Sequence, residues 1–63
     1  IMTKEQIDYI KGSIACYDEL IRTNNNIGYQ ASKENDICKS SFYFGKVSAY
    51  QDAKITLENL LKI

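Results

Sequence analysis

The stretch TKEQIDYIKGSIACYDELI, residues 3–21, decides the fold because it carries both a helix start and an apolar helical face. Thr3 is followed three positions later by Gln6, which is the pattern of a capping box at a helix N-terminus. Apolar side chains then recur at spacings of three and four, which places them on one face of a helix. They are Ile7, Ile10, Ile14, Tyr17 and Ile21. The pattern predicts a first helix over residues 4–23, with this face in the core.

The residues after this face are typical of a turn. Thr23 is followed by three asparagines, which compete with the helical backbone for hydrogen bonds, and Gly28 supplies backbone freedom. Ser32 is a suitable N-cap, so the sequence predicts a second helix over residues 33–62. The apolar side chains of this helix fall within one broad arc of a helical wheel. Those that we assign to the core are Val47, Tyr50, Ala53, Leu57, Leu60 and Leu61.

The segment over residues 40–45 leaves an alternative open. Its aromatic side chains favour extended structure locally, and Gly45 costs about 1 kcal/mol relative to Ala in a helix interior. A break near residue 41 would produce a three-helix mini-bundle. A continuous second helix is the favoured interpretation, because the apolar arc keeps its phase from Phe42 to Leu61.

The two predicted helices resemble each other in sequence. Residues 12–19 and 45–52, offset by 33 positions, share the order Gly, any residue, β-branched, small, small, Tyr, polar, acid. The similarity fits either an internal duplication or chance. In both cases it predicts that Tyr17 and Tyr50 occupy equivalent places in the core.

Together these elements predict an all-α, antiparallel two-helix hairpin that forms a single domain over residues 1–63. A chain of 63 residues is marginally stable by itself, and the second helix would extend roughly 15 Å beyond the first. A second copy is the simplest cover for this extension. We therefore predict a homodimer in the form of a four-helix bundle.

The composition argues against an enzyme. The chain has no His, so the common imidazole acid–base group and metal ligand are missing, and it contains no phosphate-binding or zinc motif. We predict no catalytic residue, no cofactor and no metal site. The formal net charge is zero and the basic residues are scattered, which argues against nucleic acid as a partner. Cys16 and Cys38, with no signal or membrane-spanning segment in the sequence, are expected to be free, buried thiols of a cytoplasmic protein.

Two short segments indicate an alternative function. Met2-Thr3-Lys4, together with Asp36-Ile37-Cys38 and Ser40, is similar to the helix starts of the Rop family of plasmid RNA-binding regulators. The resemblance implies a helical hairpin dimer that binds RNA or DNA. The predicted loop is longer than the loop of that family, and helix 1 lacks the Phe and polar residues of its RNA-binding face.

The leading functional hypothesis is a small protein–protein interaction module, an adaptor or inhibitor encoded by a phage or mobile element. Residues 45–53 are similar to the second helix of small uncharacterised proteins from bacterial and phage genomes. Ile37, Phe44 and Ile55 form a second apolar stripe on helix 2, away from the core arc, and predict an interface. Gly45 beside this stripe predicts a point of close backbone approach. The predicted occupant is either a second copy or an external protein.

Overall fold

The computed structural model describes all residues 1–63 as two antiparallel helices. Helix α1 spans Lys4–Lys33, helix α2 spans Ile37–Leu61, and the two pack along one another in a body of 49 × 14 × 11 Å. The predicted all-α hairpin is therefore confirmed, although its helix boundaries differ from the predicted ones.

Helix α1 begins where the sequence predicts. The Gln6 amide donates to the Thr3 hydroxyl at 3.1 Å, and the Thr3 amide donates to the Gln6 side-chain oxygen at 2.8 Å. This reciprocal pair is a complete capping box, which satisfies two backbone donors that the first turn would otherwise leave without partners.

The predicted end of α1 at residue 23 is wrong, because the helix continues for ten more residues to Lys33. The Asn24 side chain stays within the helix by donating to the Leu20 carbonyl at 2.7 Å. Asn24 and Gly28 are both buried against α2. Packing against the second helix therefore overrides the local preference of asparagine and glycine for a turn.

The connection is only three residues long, and Asn35 is its turning point. Asn35 has φ 61°, a left-handed conformation that Asn adopts more readily than most residues. The Asp36 amide donates to the Ala31 carbonyl at 2.9 Å and the Asn35 amide to the Ser32 carbonyl at 3.1 Å. These bonds form a Schellman motif that closes α1. Ser32, predicted as the second N-cap, therefore lies inside α1.

Asp36 is the true N-cap of α2, since its carboxylate accepts from the Lys39 amide at 3.1 Å. From Ile37 onward α2 is continuous through residues 40–45, so the three-helix alternative is wrong. The predicted extension is also reversed, because α1 has 30 residues and α2 has 25. The first turns of α1, rather than the end of α2, extend past the other helix.

The core between the helices is thin. Only six of the 63 residues are buried, and no large side chain is completely enclosed. Among the predicted core residues, Ile10 and Val47 are buried, Leu60 is exposed and the others are half-buried. Tyr17 and Tyr50 face each other with ring centroids 5.9 Å apart. The buried positions that the sequence did not indicate are Asn24, Gly28, Ala31 and Ser40.

Candidate protein-binding surfaces

The hairpin has two long sides, which helical geometry and two aromatic contacts distinguish. At 100° per residue, Tyr29 on α1 and Phe44 on α2 are rotated roughly 60–100° to one side of the buried Ile10 and Val47. The Tyr29 and Phe44 rings are in contact, so residues rotated in this direction on either helix lie on the same side of the hairpin. Rotations of the opposite sense reach the other side, which holds Tyr9 on α1.

We call the first side the Phe44 face. It consists of Tyr29 on α1 and Ile37, Phe44 and Ile55 on α2. The Phe44 and Tyr29 rings meet edge to face, with centroids 5.2 Å apart. A Cβ atom at Gly28 would lie 2.7 Å from Phe44 Cε1, so the ring occupies the space that the glycine leaves. The close approach predicted at Gly45 therefore occurs at Gly28, and a Cβ at Gly45 would meet nothing within 4 Å.

The three residues of the predicted interface stripe thus differ in their surroundings. Phe44 is half-buried within the hairpin, whereas Ile37 is 76% exposed and Ile55 is 53% exposed. The Phe44 ring is held against Gly28 and lies between two exposed side chains, Ile37 and Ile55. A protein that binds this stripe would contact mainly the two isoleucines and the 60% exposed ring of Tyr29.

An ion pair lies on the Phe44 face near the middle of the hairpin. Lys54 Nζ lies 2.6 Å from Asp18 Oδ1, and this hydrogen bond is the main reason that the pKa of Lys54 is raised. Beside the pair is a hollow of about 290 Å³ that reaches Ile55. Any partner on this face must therefore accommodate a paired charge next to an apolar side chain.

The second side, which we call the Tyr9 face, consists of Tyr9, Cys16 and Leu20 on α1 and Phe42 and Leu60 on α2. All five are exposed. A hollow of about 600 Å³ runs along α1 between Tyr9 and Leu20, with the small residues Gly12, Ser13 and Cys16 as its floor. A second hollow of about 430 Å³ continues from Tyr9 toward Met2 and Glu5. The two hollows share Tyr9 as a lining residue, and we refer to them together as the groove of the Tyr9 face.

Sequence reasoning did not identify the Tyr9 face. The signal that could have found it is the spacing of Tyr9, Cys16 and Leu20, which recur seven and four positions apart beside the main apolar arc. On α2 the face is covered in part by Lys46, whose ammonium group lies 5.5 Å from the Phe42 ring centroid and 5.3 Å from that of Tyr43. This cation–π contact keeps the lysine stem against the apolar surface.

The remaining polar groups form no concentrated site. Cys16 and Cys38 are free thiols, but both are exposed rather than buried as predicted. No three Cys, Asp or Glu side chains come close enough to share a metal ion. Arg22 is paired with Glu19 one turn earlier on α1. Neither helix combines the length and apolar character that spanning a membrane requires.

Comparisons of the chain with protein-family models, with characterised proteins and with solved structures give no match. A functional proposal therefore has to rest on the two faces alone.

Proposed function

We propose that this hairpin is a non-enzymatic protein-binding module, an adaptor or inhibitor, whose working form is a dimer arranged as a four-helix bundle. The observation that carries the proposal is the Phe44 face, where exposed Ile37 and Ile55 flank an aromatic ring held by Gly28. Exposed apolar side chains aligned along a helix are typical of surfaces that bind other proteins.

The geometry of the Phe44 face indicates what kind of target it fits. Ile37 and Ile55 are 18 residues apart on one helix, which corresponds to roughly 27 Å. An amphipathic helix of the target, laid along α2, has the length and the apolar periodicity to contact both isoleucines and Tyr29. The Asp18–Lys54 pair would border this contact and favour a target with polar groups at one end.

Affinity capture with matched variants tests this proposal. The tagged protein and its Ile55→Lys variant are compared with Thr56→Lys, which places the same charge on an exposed neighbouring residue outside the Phe44 face. We expect the wild type and Thr56→Lys to retain the same specific proteins from the native host, and Ile55→Lys to lose them. Circular dichroism should show equal helix content in all three chains.

Two results would contradict protein binding through the Phe44 face. One is that Ile55→Lys and Thr56→Lys retain identical proteins. The other is that labelled RNA or DNA binds at low ionic strength and dissociates steeply as salt is added, which would favour the nucleic-acid-binding alternative.

A further inference from the structure

We propose that the second copy of the chain docks on the Tyr9 face, and that the two hairpins run antiparallel, so that the connection of each lies beside the open end of the other. This inference rests on the proposed dimer and assigns its interface and orientation. It also leaves the Phe44 face of both copies free for another protein.

The exposed area of the hairpin supports a second copy as the occupant. A compact monomer of 7.2 kDa is expected to expose about 4,100 Å², whereas this chain exposes 4761 Å². The difference, on the order of 600 Å², approaches the area of about 800 Å² that each partner buries in a standard protein interface. A dimer contact of ordinary size would thus give each chain the burial expected of a folded domain.

The Tyr9 face is better suited to this contact than the Phe44 face. Its groove has a floor of small residues with the 77% exposed Tyr9 at its edge, and Phe42, on the same side of α2 nearer the connection, is 61% exposed. A Cβ at Gly12 would meet nothing within 4 Å, so the groove has room for side chains of a partner. The Phe44 face instead carries the Asp18–Lys54 ion pair, which a tightly packed dimer contact would have to desolvate.

The charges beside the Tyr9 face favour the antiparallel orientation. Glu5 lines the groove at the open end, whereas Lys39 and Lys46 lie on the same side of α2 nearer the connection. In a parallel dimer Glu5 is level with Glu5 of the partner subunit, and each lysine is level with the same lysine of the partner subunit. In an antiparallel dimer Glu5 of one subunit is level with the lysines of the other, so opposite charges rather than like charges share a level.

The packing inside the hairpin determines which residues would be level with each other along such a dimer. Phe44 lies opposite Gly28 and Tyr17 opposite Tyr50, so each α2 residue is level with a defined part of α1. When two copies overlap completely along their length, Glu5 is level with Lys39 of the partner subunit. In the same register Tyr9 is level with Phe42 of the partner subunit, and Lys46 of the partner subunit is level with Gly12.

Sedimentation velocity of two neighbouring variants tests the face. Cys16→Asp places a charge in the groove, and Ala15→Asp places the same charge on the adjacent exposed residue, which points away from the groove. We expect a dimer for the wild type and for Ala15→Asp. Cys16→Asp should raise the dissociation constant about a hundredfold, since a buried unpaired charge strongly weakens an interface.

A distance measurement tests the orientation. Spin labels on native Cys38, in a chain whose other cysteine is removed by Cys16→Ser, report the separation of the two connection ends. The antiparallel dimer places the labels about 40 Å apart, because 28 helical residues separate the two levels. A parallel dimer would place them within about 20 Å of each other, across two helix diameters.

The possible failures are distinguishable. A wild type that remains monomeric at high micromolar concentration would overturn both the proposed dimer and this inference. A dimer that survives Cys16→Asp would overturn the Tyr9 face alone. A short label distance would overturn the antiparallel orientation alone, and none of these results affects target capture through the Phe44 face.

Discussion

The two ends of the hairpin are packed in different ways. The connection end, residues 24–47, contains five of the six buried residues, whereas the open end, residues 4–17 and 50–61, contains only Ile10. The buried residues of the connection end all have small or short side chains: Asn24, Gly28, Ala31, Ser40 and Val47.

The difference shows how side-chain size controls burial in a two-helix structure. Small residues allow the helix backbones to approach, so that little surface remains open to water between them. At the open end the large side chains of Tyr17 and Tyr50 pack against each other and are only half-buried. The connection end is therefore buried more completely within one chain than the open end.

The largest effect is expected from enlarging a small residue at the connection end. Ala31 is 1% exposed, and its carbonyl accepts the Asp36 amide that closes the turn. Ala31→Leu should lower the free energy of unfolding by about 3 kcal/mol, because the added volume has to push the helices apart. Urea denaturation at fixed protein concentration measures this loss.

Ala15→Leu is the matched control for Ala31→Leu. It is the same substitution on the same helix, but at an exposed position, so the free energy of unfolding should change by less than about 0.5 kcal/mol. If both variants were equally stable, the connection end would not be packed as tightly as the structure indicates.

A smaller effect is expected from removing volume at the open end. Tyr17→Ala and Tyr50→Ala should each lower the free energy of unfolding by about 2 kcal/mol, below the loss for a completely buried aromatic residue. Because the two rings are in contact, the double variant should lose about 1 kcal/mol less than the sum of the single losses. Strictly additive losses would mean that the rings do not contact each other in solution.

The two interior glycines of α1 predict changes of opposite sign. Gly12→Ala should raise the free energy of unfolding by up to about 1 kcal/mol, since the helix gains propensity and the new methyl group meets no neighbour within its own chain. Gly28→Ala gains the same propensity but displaces the Phe44 ring, and should lower the free energy of unfolding by about 1 kcal/mol overall. Thermal melts of both variants, measured together, check the difference.

Combining Phe44→Leu with Gly28→Ala separates the gain in helix propensity from the clash with the Phe44 ring. The smaller side chain should relieve the clash and recover part of the lost stability. If Gly28→Ala alone were as stable as Gly12→Ala, the Phe44 ring would not be held against Gly28.

The sequence is sufficient for the hairpin but not for its turn. The Thr3 capping box and the apolar spacing are local signals, and they correctly predict the start of α1 and the helical class. Asn24 and Gly28 lead to the wrong prediction of a turn, because they are buried within a helix through packing against α2, which no local sequence pattern contains. The true turn is marked by Asn35 and Asp36, an αL residue followed at once by an N-cap.

The two candidate surfaces also differ in how well the sequence alone predicts them. Ile37 and Ile55 are recognisable from sequence because they are apolar and lie away from the main arc of α2. The Tyr9 face is harder to recognise from sequence, since its α1 residues adjoin the apolar arc of that helix and resemble its edge. Only the thinness of the core shows that this edge remains exposed.

The smallest effect is expected from the ion pair between Asp18 and Lys54. Lys54→Met removes the contact with Asp18 and keeps a long apolar stem, so the melting temperature should fall only slightly at low salt. The difference from the wild type should shrink as salt is added, because the exposed carboxylate is screened. The pKa of Lys54 is raised in the folded chain, so the pair contributes at pH values below the ordinary lysine pKa and is lost as pH rises through the folded value. Between pH 6 and 9 we expect the charge pair to be intact. If salt does not change the difference in melting temperature in this range, Lys54 contributes through the packing of its stem.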